Sequence, residues 1–215
     1  METSTRFIAN TNIAVNPSPL WGFDINYNNF GMQTESGTLP INDSVRIKQV
    51  NQTLTVAPRF NIIEANATHS LSMAICYNDV NDRNTITKQY GNMKAEVINL
   101  NHNTTFNKKG NSINSGINYN KISTASFNNS QLGFTVGYSH SFFKQALSAS
   151  INANYNFSTI NGEKDGNILN ATFAANYSYR KHSFSVNFNL INTVSKQFDG
   201  YTETMATLGY NFRIK

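Results

Sequence analysis

Side chains able to do chemistry are few in this chain and widely spaced. There are four histidines, His69, His102, His140 and His182, and one cysteine, Cys76. No two histidines have the His-x-x-x-His spacing of a metal pair, and none has a Ser or Asp that strand periodicity brings to its height. No catalytic residue, metal site or cofactor is therefore expected. His102 and His140 share parity with apolar neighbours, while His69 and His182 lie beside short turns. A single cysteine excludes an internal disulfide. The run Asn161-Gly-Glu-Lys-Asp-Gly-Asn167 is only faintly like a calcium loop and lacks its bidentate Glu, so it reads as a solvated hairpin. Asn-x-Ser/Thr triplets at Asn66, Asn103, Asn156 and Asn170 are what chance gives a chain with 35 Asn.

Strands must position these groups. In Leu147–Ser158 every odd residue is apolar and every even one is Ser or Asn. Successive strand side chains point to opposite faces, so this is a ribbon with one greasy and one wet side. Similar alternation recurs in eleven segments, near 5–16, 20–32, 45–62, 68–79, 92–107, 111–124, 130–143, 146–160, 167–180, 182–194 and 201–214. The apolar phase shifts at Val97-Ile98 and between Val45/Ile47 and Leu54, which predicts a β-bulge at each place. On the polar side the charges are Asp24, Arg59 and Arg213, with Lys94 and Glu96 ambiguous because of the phase shift. Asp24 and Arg59 each lie about four residues from a tight turn on neighbouring strands, so they are expected to meet as an ion pair, structural or charge-filtering.

Composition narrows the class. Only 13% of residues are charged, about half the share usual in soluble domains, and 39% are apolar. No stretch is long and apolar enough for a membrane-spanning helix. The net charge is +5, but the cations form no stripe with interleaved aromatics, so nucleic acid is not expected as a partner.

Connections and aromatics point the same way. Tight turns fall near Asn16-Pro-Ser-Pro, Glu64-Ala-Asn-Ala, Asn107-Lys-Lys-Gly, Phe143-Lys-Gln and Arg180-Lys-His, with longer loops near 33–44, 79–91, 125–130, 161–166 and 195–200. The turns are basic (Lys108, Lys109, Lys144, Arg180, Lys181) and the loops relatively acidic (Glu35, Asp43, Asp79, Asp82, Glu163, Asp165, Asp199). Trp21, Phe106, Phe142, Tyr179, Phe184 and Phe212 fall near the turn end, and Tyr27, Tyr77, Tyr119, Tyr155 and Phe157 near the loop end. Two aromatic girdles flanking an aliphatic band are the pattern of a transmembrane β-barrel. The expected fold is thus all-β, an antiparallel up-and-down transmembrane β-barrel of about 10–12 strands, with short turns at one end and longer loops at the other.

The Asn/Ser-rich alternating strands, the tight Lys/Asn turns and the closing Leu208-Gly-Tyr-Asn-Phe-Arg-Ile-Lys215 resemble outer-membrane β-barrel proteins, particularly those of Bacteroidetes-type bacteria. The resemblance implies a bacterial outer-membrane location, contact with lipid and lipopolysaccharide, and handling by the barrel assembly machinery. It implies one β-barrel domain over residues 1–215. Eleven strands break the even number of bacterial single-chain barrels. The domain is therefore expected to be the C-terminal portion of a larger barrel, completed by N-terminal strands or a partner chain, with a twelve-strand barrel as the alternative. The expected function is non-enzymatic: a pore, passive transporter or barrel scaffold of a larger receptor with an Asn/Ser/Thr-lined lumen. The competing expectation is a soluble or surface-attached β-sandwich that acts as an interaction or adhesin domain.

Overall fold

A computed structural model describes residues 2–36, 46–84, 89–107, 110–196 and 199–213. Eleven strands follow the alternating segments: β1 (Glu2–Ser18), β2 (Trp21–Ser36), β3 (Arg46–Ile63), β4 (Ala67–Asn84), β5 (Gln89–Phe106), β6 (Asn111–Thr124), β7 (Asn128–Phe142), β8 (Leu147–Ile160), β9 (Glu163–Tyr179), β10 (His182–Ser195) and β11 (Tyr201–Phe212). They form one sheet in chain order, each strand antiparallel to the next. The architecture is all-β and up-and-down. The sheet is not closed: β1 and β11 make no contact. All eleven strands belong to one sheet and no core lies between two faces, so the sandwich alternative, which needs two sheets packed face to face, does not hold.

Register explains how the alternation becomes two continuous faces. The cross-strand row Trp21, Phe60, Leu71, His102, Ser115, Val136, Ala153, Ala171, Leu190 lies on one side of the sheet. It begins on the first residue of β2 and reaches β10 at Leu190, eight residues beyond His182, the start of that strand (190 − 182 = 8). The ladder is thus staggered by about one residue per strand. Eight strands with a shear of eight tilt by about 36°, so this stagger is the one a barrel wall needs. On β8 the apolar face runs from Leu147 to Phe157, ten residue steps or about 33 Å, which at that tilt spans about 27 Å. The apolar band of outer-membrane barrels is about 25 Å tall.

The chain folds without a core. Ala67 is the one buried hydrophobic residue among those described, and the exposed surface is 15000 Å². A compact soluble monomer of this 24.0 kDa mass would expose roughly 9,900 Å². The excess is the sheet's own two faces. Apolar rings and branched chains along one of them, such as Val136 (58% exposed) and Ile151 (55%), have nothing of this chain against them.

Three expectations need correction. Neither predicted bulge forms: β5 pairs continuously through Val97 and Ile98, and β3 pairs with β2 in one register from Arg46 to Phe60. Register breaks occur instead at Val15/Ser18 and Ser158/Thr159. The loops are shorter than expected, because Asp79 and Asp82 belong to β4 and Glu163 and Asp165 to β9. β8 and β9 join through two residues, Asn161 (φ 53°) and Gly162 (φ 83°). Positive φ at both centres is the geometry of the two-residue hairpin turn that Asn-Gly favours. Asp43, Lys108 and Lys109 lie outside the described residues, and nothing is described of the Glu35 side chain.

Candidate functional site

The clearest charged constellation sits on the polar face near the turn end, where β1, β2 and β3 meet. Asp24 leaves β2 on the side opposite Trp21 and Phe23, and Arg59 leaves β3 opposite Pro58 and Phe60. Arg59 Nη1 donates to Asp24 Oδ2 at 2.7 Å, and Arg59 Nη2 donates to Asn16 Oδ1 on the irregular end of β1. Gly22 makes the approach feasible, since a Cβ there would lie 2.4 Å from Asn16 Oδ1 and 3.2 Å from Arg59 Nε. The pair is about 40% exposed on each side, so solvent screens it and it contributes about 0–1 kcal/mol. Its geometric effect is larger than its energy: one guanidinium ties three successive strands. Arg213 does not join it. It follows the end of β11, where its N–H donates to the Lys181 carbonyl at 2.9 Å, at the turn-end rim.

Around this clamp the polar face is a ladder of amides and hydroxyls. Asn78 Nδ2 donates to Thr53 Oγ1 at 2.7 Å, Asn154 Nδ2 to Thr135 Oγ1 at 2.7 Å, and Ser112 and Ser139 share a bond of 2.7 Å. The amide oxygens of Asn78, Asn129, Asn170 and Asn189 lie on this face with no hydrogen-bond partner among the described residues. Such a surface suits contact with water better than a dry core, which would leave those acceptors unpaired.

The girdle residues all fall on the apolar face. At the turn end are Trp21, Phe106, Phe142, Tyr179, Phe184 and Phe212, and towards the loop end Tyr27, Tyr77, Tyr119, Tyr155 and Phe157. Ring contacts link neighbours, with Tyr155 and Phe157 edge-to-face at 4.7 Å and the Arg180 guanidinium 5.2 Å over the Tyr179 ring. Lys94 and Glu96 also belong to this face and not to the polar one. In register Asp79 stands opposite Lys94, and Glu96 opposite Lys121, directly past Tyr77, Ile98 and Tyr119. Opposite charges across strands are favourable pairs, and they mark where the apolar band stops.

The histidines hold a pattern that sequence parity showed only in part. All four lie on the apolar face at its turn end. His69 on β4 and His102 on β5 stack with centroids 5.8 Å apart and planes 5° from parallel. Both reach the Thr104 hydroxyl, at 2.9 Å from His69 Nδ1 and 3.3 Å from His102 Nε2. His140 bonds Asn111 Oδ1, and His182 Nδ1 bonds Tyr210 Oη at 2.8 Å. Each imidazole thus has a neutral polar partner, and no group of three or more His, Cys, Asp or Glu able to hold a metal occurs among the described residues.

No protein-family model matches the chain, and no curated protein matches it. Two solved structures resemble it over nearly its whole length. OmpT (in-vitro folded), an outer membrane protein of Vibrio cholerae in its trimer form, shares 5% identity at a TM-score of 0.44, covering 99% of both chains. LpxR from Salmonella typhimurium shares 8% identity at a TM-score of 0.32, covering 94% of this chain and 87% of that one. Likeness this remote concerns the fold alone. Neither neighbour bears on the Bacteroidetes-type affinity. Neither likeness carries a function, so the expectation of a non-enzymatic pore, passive transporter or scaffold is withdrawn. The physical reason is general. An up-and-down wall is a scaffold, and activity lives in the site grafted onto it.

Proposed function

We propose that this chain forms the membrane-embedded wall of a bacterial outer-membrane β-barrel, with its apolar face in lipid and its Asn/Ser/Thr face turned to the barrel interior. The observation that carries the reading is the continuous exposed band bounded by aromatic rings at both ends, on a sheet that buries no core. In hydrocarbon such a band is favourable, and every backbone group must be paired. The edges β1 and β11 therefore need partners. They run in the same direction, so joining them directly gives one parallel seam, whereas closure by antiparallel pairs alone takes an odd number of added strands. A partner chain or further strands of the same polypeptide fill that role. The Asp24–Arg59–Asn16 clamp then fixes the interior side of the β1–β3 corner. Contact with lipopolysaccharide, handling by the assembly machinery and the Bacteroidetes-type affinity belong to the same proposal.

The test is extraction and electrophoresis. The wall reading expects recovery from membranes only with detergent, and faster gel migration of the unheated than of the boiled sample. Release by salt or carbonate with no heat effect contradicts it.

A further inference from the structure

We infer that the depression between β3, β4 and β5 on the apolar face is a binding site for one phosphoethanolamine lipid in the leaflet at the turn end. The inference rests on the membrane reading above. Phe60, Ile62, Glu64, His69, Leu71 and His102 line a cleft of about 350 Å³. From the turn inwards its chemistry comes in order: Glu64 first, then His69 and Thr104 in the row of Ile62, then His102 in the row of Phe60 and Leu71, and beyond them Leu100. A phosphoethanolamine lipid presents the same sequence of groups along the membrane normal: ammonium outermost, phosphate next, acyl chains innermost.

The cluster is built to face such a phosphate. Thr104 is only 6% exposed, and it occupies one nitrogen of each ring, so His69 Nε2 and His102 Nδ1 are left without a partner among the described residues. The shared hydroxyl donates to one ring and accepts from the other, so the stacked pair presents one fixed N–H donor to a phosphate oxygen. Thr104 acts as a positioning residue and does not touch the lipid. Glu64 is the other titratable group lining the cleft, and from β6 the cluster is faced by the neutral Ile113 and Ser115. A bare anion would be repelled by Glu64, while a zwitterion uses both charges.

The experiment uses the full chain folded in non-ionic detergent, with dihexanoyl phosphatidylethanolamine, dihexanoyl phosphatidylcholine and dihexanoylglycerol as probes and native mass spectrometry as the readout. The expected result is one retained phosphatidylethanolamine, about tenfold preferred over phosphatidylcholine and retained where dihexanoylglycerol is not. Glu64→Gln should erase the preference for ethanolamine over choline, and His69→Phe with His102→Phe should lose phospholipid retention. The heat effect on gel migration and insertion into vesicles should stay intact in both variants. Equal retention of all three probes, or unchanged retention in an inserted double variant, overturns the site while leaving the wall reading in place. A wild-type chain that fails to insert at all overturns both.

Discussion

The turn half and the loop half of the sheet obey opposite rules. In the turn half the faces are segregated: His, Trp, Phe, Tyr and aliphatic residues on one side, and residues such as Asn103, Asn114, Gly137, Asn152, Ser150 and Ser185 on the other. In the loop half they trade character. The formerly apolar side carries Asn29, Gln52, Asp79 and Lys94 in one row. The formerly polar side gains Ile8, Phe30, Val80 and Met93, and across the sheet Ile122, Ile168, Ile191, Tyr201 and Met205. A backbone that stays in register while its amphipathicity reverses has not changed structure; its surroundings have. On the membrane reading proposed above, the strands outlast the bilayer, and beyond the charged rows the outward side meets water.

That contrast can be broken most sharply with a cation placed at different depths on the same face. Val136→Arg, midway along the β7 band, should cost about 2–4 kcal/mol of folding stability in vesicles, and Val50→Arg, two rows past the band on β3, about 0–1 kcal/mol. Urea titrations of refolded protein read both, and equal costs would erase the boundary between the halves. Backbone contact comes next. A Cβ at Gly166, in the loop half beside the register break, would sit 2.0 Å from the Val194 carbonyl oxygen, and that strand cannot move aside as a side chain can. Gly166→Ala should therefore destabilise by about 1–3 kcal/mol, with amide exchange accelerated along β9 and β10 first. The smallest effect belongs to the exposed clamp: Arg59→Ala should cost about 0–1 kcal/mol, less in high salt, and loosen exchange protection at the turn ends of β1 and β2.

Much of this was legible in the residues because a period of two is a direct print of the strand. The eleven strands, the girdle positions and the approach of Asp24 to Arg59 all follow from it. What failed was the interpretation of a changed phase. The phase change at Val97-Ile98 predicts a bulge, yet the two are consecutive residues on opposite faces near the level where the faces trade roles. Sequence alone could not separate a kinked backbone from a change of solvent along a straight one. The His69–Thr104–His102 cluster was hidden for another reason. It depends on the β4–β5 register, which pairs His69 with Thr104 and Leu71 with His102, and the turn alone did not reveal that offset. The odd strand count, which leaves β1 and β11 running in the same direction, is legible in the number of alternating segments.

The single tryptophan gives the most direct test of the membrane account. Trp21 starts β2 on the apolar face, 42% exposed and stacked near Phe23 at the turn-end girdle. In vesicles whose acyl chains carry bromine at graded depths, the account predicts blue-shifted Trp21 emission, quenched most by bromine nearest the headgroups. Water-like emission indifferent to bromine at every depth would contradict it.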